Sequence, residues 1–251
     1  MESFINSYSY KCLLGPQSKD IEVIGNLAKW RVNKKIHFSN LGIFDNSDIL
    51  YLKNFDEINF HYLSPENFEI LKPHFKIFKG KLESTCINME NLTYDGRANH
   101  GIRGAINKNK KLPLIIKDNF DSFEDIKVML DDWSENIGAK YFRDFSGKNK
   151  FFFKNNFHSD CHNTFIYDAD KLIAFASLSP GEYSSYIIGK ALFHKYPGLS
   201  EYTDAMVYER AKEKGVKTVN LGQSKGNIAK YKNKFPNSYT INHFDGSMEK
   251  Q

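Results

Sequence analysis

The clearest pattern in this chain is a helical repeat of apolar positions in residues 123–137, "FEDIKVMLDDWSENI". Its apolar residues recur three and four positions apart, which places them on one face of a helix. Ser122 and Asp125 match the S-x-x-D capping box, and Gly138 supplies a stop signal. The pattern therefore predicts a helix whose apolar face, including Trp133, packs into a core.

After this helix the pattern becomes β-like. The runs "NTFIY" and "LIAFASLS" flank the turn-forming "DADK" and predict an antiparallel hairpin. We then expect strand Ser184–Phe193, helix Glu201–Lys214 with a Ser200 cap and Gly215 at its end, and strand Val216–Leu221. A short helix in "NIAKYKNKF" and a strand in "NSYTINHF" complete the pattern of an α/β fold, a mixed sheet flanked by helices. The strand–helix–strand unit predicts that the strands 184–193 and 216–221 are adjacent, with the helix packed on them.

Residues 1–90 carry weaker patterns. The runs "DILYLKNF" and "EINFHYL" suggest strands, and "PENFEILKPHF" suggests a short helix with Pro65 near its start. No repeat or low-complexity linker separates this part from the remainder of the chain.

Composition restricts the class of protein. Hydrophobic residues make up 41% of the 251-residue chain and charged residues 26%, as in ordinary globular proteins. Cys12, Cys86 and Cys161 are odd in number and widely separated, which indicates neither a disulfide framework nor a cysteine-rich zinc site. With no apolar run long enough for a membrane span and no secretory leader pattern, we expect a cytoplasmic protein.

The net charge of +5 is concentrated in two basic segments. Six basic residues and no acidic residue lie between Arg97 and Lys117, and a second basic block runs from Arg210 to Lys234. The two segments could meet around one anionic ligand, although solvated helix faces also account for such runs.

Three motif-based functions fit poorly. "GQSKGN" lacks the spacing and the terminal Lys-Ser/Thr pair of a phosphate-binding P-loop. "YFRDFSGKNKFFFKNNF", residues 141–157, offers the mixture of aromatic and basic residues of a single-stranded nucleic-acid groove, but many of those aromatics should be buried. "HSDCH", residues 158–162, lacks the ligand spacing of known zinc modules, so we expect no metal and a structural role for Cys161.

Several blocks together resemble a known fold family. "SSYIIGKALF", "EYTDAMVYERAKEKG", "VKTVNLGQS" and "YKNKFPNSY" are similar, in order and spacing, to the GNAT-superfamily acyltransferase fold. The similarity is to the Fem-like branch and the C-terminal domain of phosphatidylglycerol lysyltransferases, whose F-K-x-K-F block resembles "YKNKF". Upstream, "LTYDGRANHGIRGAINKNKK" resembles the family segment that precedes a basic helix. The resemblance covers roughly residues 85 to 245. It implies two GNAT-like halves, with residues 1–90 a degenerate first half and 91–251 the acyltransferase domain.

The resemblance also implies site residues. Asp204 matches an acidic position of the family helix, and Lys232 and Lys234 match the F-K-x-K-F lysines, which would contact substrate. Tyr231 lies where many GNAT enzymes place a tyrosine that protonates the departing thiolate. Glu182, in a loop between two strand candidates, is a candidate general base. Each position also has a purely structural explanation: Asp204 as a first-turn acid of the helix, Tyr231 as a packed aromatic, and Glu182, Lys232 and Lys234 as solvated charges.

The donor should lie near the strand end and basic loop formed by Gly222, Ser224 and Lys225. Arg103, in a helix within 97–111 whose apolar residues face the core, should approach the same anionic donor from one side and Lys232 from the other.

These expectations define two functions. The first is an acyl- or aminoacyl-transferase that uses aminoacyl-tRNA or acyl-CoA as donor, an amine or hydroxyl as acceptor, and no resident cofactor. "HKYPGLSEYT" contains one glycine where acetyl-CoA enzymes have a glycine-rich loop, which disfavours acetyl-CoA. The second is a catalytically silent GNAT-like module that binds an anionic partner, such as RNA or a phosphorylated small molecule.

Overall fold

The computed structural model describes residues 22–32, 34–137, 161–179, 181–223 and 226–250. These residues form two compact units. The first lies within Met1–Thr85, Gly222–Lys225 and Thr240–Gln251, and the second within Cys86–Leu221 and Gly226–Tyr239. No helix in the described part of the chain is long and apolar enough to cross a membrane.

The secondary structure alternates short helices with strands. In chain order the strands are β1 Glu22–Ile24, β2 Leu27–Val32, β3 Lys35–Asn40, β4 Glu57–Leu63, β5 Phe75–Asn88, β6 Leu114–Lys117, β7 His162–Asp168, β8 Lys171–Leu178, β9 Tyr183–Ala191, β10 Thr218–Gln223 and β11 Ser238–Lys250. The α-helices are α1 Asn46–Leu52, α2 Pro65–Leu71, α3 His100–Asn109, α4 Phe123–Ile137, α5 Leu199–Glu213 and α6 Gly226–Lys232.

In the first unit the strand order is β1-β2-β3-β4-β11-β5. The strands β3 and β4 are parallel, whereas β2 with β3 and β4 with β11 pair antiparallel. The side chains buried between this sheet and its helices include Phe38, Phe60 and Met248, together with Leu52 and Leu71 of α1 and α2. Their removal from water stabilises this core.

One prediction in this unit is wrong. Part of "DILYLKNF" forms helix α1 and not a strand. Asp45 caps the helix, because its side chain accepts hydrogen bonds from the backbone N–H groups of Ser47 and Asp48. In turn, the Asp48 side chain accepts a hydrogen bond from the backbone N–H of Asp45. This capping box satisfies backbone donors that a helix start leaves unpaired, so the helix is stabilised at a sequence whose apolar residues fit either structure.

In the second unit the strand order is β10-β9-β8-β7-β6, and the predicted mixed α/β architecture is confirmed. The hairpin of β7 and β8 turns between Asp168 and Lys171, as predicted. The strands β9 and β10 pair in parallel, from Tyr183 opposite Thr218 to Ser185 opposite Asn220, with α5 packed on β9. The predicted capping box of α4 is present, since Ser122 and Asp125 exchange side chain-to-backbone hydrogen bonds of 3.1 and 3.2 Å.

The predicted cap of helix α5 is wrong. The helix begins at Leu199, and Gly198 is the N-cap, whereas Ser200 lies within the first turn. Gly198 has a φ of +82°, which favours glycine, and a Cβ there would lie 2.8 Å from the Ala105 Cβ. The glycine is therefore required both by its backbone conformation and by the close approach of α3.

Candidate active site

A cleft of about 430 Å³ lies in the second unit, beside the C-terminal part of β9. The described pairing of β9 with β10 ends at Ser185 and Asn220, although β9 continues to Ala191. The cleft lies against the residues of β9 that follow this described pairing. The cleft is lined by Trp133 of α4, by residues 186, 189–191 and 193 around β9, by residues 200, 203 and 204 of α5, and by Ile228 and Tyr231 of α6.

Asp204 is the central polar residue of this cleft, and it is only 6% exposed. Its Oδ1 accepts a 2.7 Å hydrogen bond from the Tyr186 hydroxyl, and its Oδ2 accepts a 2.7 Å hydrogen bond from the Tyr231 hydroxyl. Burial raises the pKa of Asp204 to about 6, while the two phenol hydrogen bonds oppose that rise. Asp204 is therefore a carboxyl group that exchanges its proton near neutral pH and is oriented on both oxygens.

The two phenols keep their protons. Burial, followed by the nearby Asp204 carboxylate, raises the pKa of both Tyr186 and Tyr231. Each hydroxyl therefore donates a hydrogen bond to Asp204, and its oxygen lone pairs can accept a hydrogen bond from another group. Tyr231 also makes an edge contact with Phe235, with ring centroids 5.8 Å apart, which helps to fix its ring.

Gly189 makes the position of Tyr186 possible. A Cβ at residue 189 would lie 1.6 Å from the Tyr186 hydroxyl oxygen and 2.6 Å from the ring carbon that carries it. Such distances are far below van der Waals contact, so any side chain here would displace the phenol. A glycine within a strand often marks a close approach of this kind.

Lys190 adds a second titratable group to the cleft. Its ammonium lies 4.6 Å from the centroid of the Trp133 ring and donates to the Gly189 carbonyl oxygen at 3.1 Å. Burial lowers the pKa of Lys190 to about 8, and the attraction of Asp204 limits that decrease. The cleft thus contains a carboxyl group whose pKa is raised to about 6 and an amine whose pKa is lowered to about 8.

Two predicted lysines lie near the Tyr231 side of this site. Lys234 forms an ion pair with Glu201, and its ammonium is 4.0 Å from the centroid of the Tyr231 ring. The Lys232 Nζ donates to the Leu221 carbonyl oxygen at 2.5 Å, and burial lowers the pKa of Lys232 to about 8. These lysines point to different partners, as expected for side chains two positions apart.

Other predicted site residues lie elsewhere. Glu182 forms an exposed ion pair with Lys217 at 2.7 Å and is not among the residues that line the cleft. Arg103 lines a different cleft, so the described residues do not show the expected convergence of Arg103 and Lys232 on one site. Gly222 has a φ of +75° within β10, a conformation that favours glycine.

The remaining predicted residues and motifs lie partly outside the part of the chain that the structure describes. Ser224, Lys225 and residues 141–157 lie outside the described residues, as do three of the five residues of "HSDCH". Cys161, which the structure does describe, is buried. No group of three or more potential metal ligands occurs among the described residues.

The sequence interpretation missed Tyr186, Gly189 and Lys190. All three lie in "SSYIIGKALF", which was interpreted only as an apolar strand. The available signal was the pair Gly189-Lys190 inside that strand, because glycine and a charged residue are both unusual in a buried strand.

Comparison with solved structures places this fold. L-PGS from Bacillus licheniformis superposes with a TM-score of 0.64 at 13% sequence identity, over 89% of this chain and 80% of that one. The C-terminal domain of a protein named as a lysylphosphatidylglycerol synthetase from Agrobacterium fabrum gives 0.70 at 13% identity, over 100% and 88%. FemX gives 0.66 at 11% identity, over 98% and 90%. No protein-family profile and no curated protein sequence matches the chain.

The chain therefore has the fold of these L-PGS, lysylphosphatidylglycerol synthetase and FemX structures, which confirms the fold resemblance inferred from its sequence blocks. At such low identity the comparison concerns the fold, so function has to be argued from the cleft itself.

Proposed function

We propose that this protein is an acyl- or aminoacyl-transferase, which moves an acyl group from an activated carrier to an amine or hydroxyl acceptor in the Asp204 cleft. The observation that carries the proposal is the buried Asp204 carboxyl, held by two phenols and close to the amine of Lys190. A carboxyl group and an amine in one cleft, each with a pKa shifted by burial, are typical of sites of acid–base catalysis.

In this proposal Tyr231 and Asp204 act together as the base. As the acceptor amine attacks the acyl carbonyl, its proton moves to the Tyr231 oxygen while the Tyr231 proton moves to Asp204. Because the pKa of Tyr231 is raised, the phenol passes the proton on and does not ionise by itself. Asp204 is ionised above about pH 6 and can accept it.

Lys190 would act as the acid. When the new C–N bond forms and the bond from the acyl carbon to the carrier breaks, the leaving thiolate or alkoxide takes a proton from the Lys190 ammonium. A pKa of about 8 makes this ammonium a stronger acid than an ordinary lysine, while most of it remains protonated at neutral pH. The cycle closes when the amine and the protonated carboxyl exchange a proton through solvent.

The start of α5 bears on the donor. Gly198 is the only glycine between His194 and Thr203, and it caps the helix without a side-chain hydrogen bond. A glycine-rich turn whose N–H groups would cradle a pyrophosphate is therefore missing from this sequence. The name lysylphosphatidylglycerol synthetase of one similar structure refers to an aminoacyl product. Both points favour an aminoacyl carrier, such as aminoacyl-tRNA, over acetyl-CoA.

The test is a transfer assay. The purified chain is incubated with aminoacyl-tRNAs or acyl-CoAs and a panel of amine and hydroxyl acceptors, and products are detected by mass spectrometry. Tyr231→Phe should lower kcat by about 10- to 100-fold because it removes the proton relay. Tyr239→Phe, on β11, is the matched control and should leave kcat unchanged.

The alternative is a catalytically silent module that binds an anionic partner, and the basic segments favour it. The same assay separates the two, because binding of tRNA or acyl-CoA without any product from any acceptor would support the silent module. Product formation that is insensitive to Tyr231→Phe would contradict the proposed relay.

A further inference from the structure

A second cleft, of about 650 Å³, lies in the second unit and shares no residue with the Asp204 cleft. Its walls are helix α3, the C-terminal half of helix α5 and the loop that precedes α3. It is lined by Leu92, Thr93, Tyr94 and Asp95 of the loop, by residues 103, 106, 107 and 110 of α3, and by Glu209, Lys212 and Glu213 of α5. Its volume falls in the range of small-molecule sites.

The two helices present opposite charges to this cleft. Arg103 and Lys110 are seven residues apart, so both lie on one face of α3 or at its end. Glu209 and Glu213 are four residues apart and form an acidic pair on α5. Lys212 of α5 also lines the cleft, but its ammonium donates to the Leu92 carbonyl oxygen at 3.1 Å, and Asp95 of the loop accepts from the Thr93 hydroxyl at 3.0 Å. The other charges form a positive wall on α3 and a negative wall on α5.

The charges on these walls form no ion pair with each other in the described part of the chain, although Lys110 attracts the Glu209 carboxylate. None of the ion pairs found in the described part of the chain involves Arg103, Lys110, Glu209 or Glu213. Arg103 Nη1 donates to the Gly96 carbonyl oxygen at 3.0 Å, which fixes the guanidinium and leaves other N–H groups of its fork. Burial raises the pKa of Glu209; the attraction of Lys110 opposes that rise and Glu213 adds to it, so a further cation beside Glu209 would favour its ionised state.

Between the charged walls the cleft is apolar. Leu92 and Ile106, which are 8% and 4% exposed, line it together with Tyr94. A hydrocarbon segment of a ligand could pack against these side chains through van der Waals contacts. The arrangement is an apolar base between a cationic side and an anionic side.

We propose that this second cleft binds a zwitterionic small molecule, with its carboxylate against Arg103 and Lys110, its ammonium against Glu209 and Glu213, and its apolar body against Leu92 and Ile106. A molecule with one charge would pair with one wall and leave the charges of the other wall without a partner in the ligand. The inference is independent of the proposed transfer reaction, because it concerns a separate set of residues.

The test uses ε-aminocaproate as the probe, because its ammonium and carboxylate are separated by an apolar chain. Caproate, which lacks the ammonium, and hexylamine, which lacks the carboxylate, are the matched controls. Binding to the full chain is measured by calorimetry or by protein-observed NMR at low ionic strength. We expect ε-aminocaproate to bind at least about fivefold more tightly than either control, and the difference to shrink as salt is added.

Two variants test the two walls separately. Lys110→Gln should weaken the zwitterion to the affinity of hexylamine, and Glu209→Gln should weaken it to the affinity of caproate. Lys108→Gln, on the same helix but outside the cleft lining, should change neither affinity. Thermal unfolding of each variant reports whether it is folded.

Equal binding of the three probes, or binding of the zwitterion that neither cleft variant weakens, would overturn the proposal. Absence of transferase activity would not affect it, because the readout is binding alone. Loss of zwitterion binding in Lys108→Gln as well would show that net charge, and not the two walls, determines affinity.

Discussion

Replacing Asp204 by Asn should remove a specific part of the pH dependence of stability. Asp204 is buried, and its pKa is raised from 3.8 to about 6. A difference of roughly two units corresponds to about 3 kcal/mol between the protonated and ionised forms in the folded protein. Asn has the shape of Asp and can both accept from one phenol and donate to the other, so the packing should be kept.

The sign follows from the direction of the shift. Because the folded-state pKa lies above the unfolded value, the stabilising contribution of protonated Asp204 is complete below about pH 3.8 and is lost as the pH rises through about 6. The wild-type free energy of unfolding should therefore fall by about 3 kcal/mol from this group over the whole range, about half of it between pH 5 and pH 8. In Asp204→Asn that part of the decrease should be absent.

The assay is denaturant unfolding of both proteins at several pH values from 5 to 8, compared as the difference between variant and wild type. Asp132→Asn is a control without pH dependence in this range: hydrogen bonding to Lys195 and Lys171 holds the pKa of Asp132 below 3.8, so its contribution is complete throughout pH 5 to 8 and is lost only at lower pH. If the difference between Asp204→Asn and wild type stays constant with pH, ionisation of Asp204 carries no cost in the fold and the reasoning fails.

Two further predictions concern the same cleft. Gly189→Ala should reduce the free energy of unfolding by about 1–3 kcal/mol, since its methyl would overlap the Tyr186 hydroxyl, whereas Gly104→Ala, with open space around its Cβ, should be neutral or slightly stabilising in chemical denaturation. If Gly189→Ala is also neutral, the close approach is not maintained in solution. The log of kcat/KM should rise through about pH 6 as Asp204 ionises and fall through about pH 8 as Lys190 loses its proton. Lys190→Arg should abolish the alkaline limb, and its persistence would assign that limb to another group.

Much of the second unit was predictable because its signals are local. The capping box at Ser122 and the turn between Asp168 and Lys171 each depend on a few neighbouring residues, and both are present in the structure. The wrong prediction of a strand at α1 also depends on a local signal. Residues 49–52, "ILYL", are a short continuous apolar run that fits a helix or a strand, and the Asp45 cap that decides between them was not recognised.

The candidate site was predictable only in part, because it depends on contacts between distant segments. Asp204 and Tyr231 were proposed from resemblance to a family, but their partners were not found, since Tyr186 is 18 residues from Asp204 in the chain and meets it only when β9 packs against α5. Sequence alone allowed Asp204 to be an ordinary solvated acid of a helix's first turn. The structure excludes that interpretation, because the carboxyl is 6% exposed and accepts from two phenols. Its burial makes the ionised form costly, and the two hydrogen bonds offset only part of that cost. Asp204 lines a cleft, and burial has lowered the pKa of Lys190 in the same cleft. The cost of ionising Asp204 at such a place is the physical reason for proposing it as part of a reaction site and not only of the core.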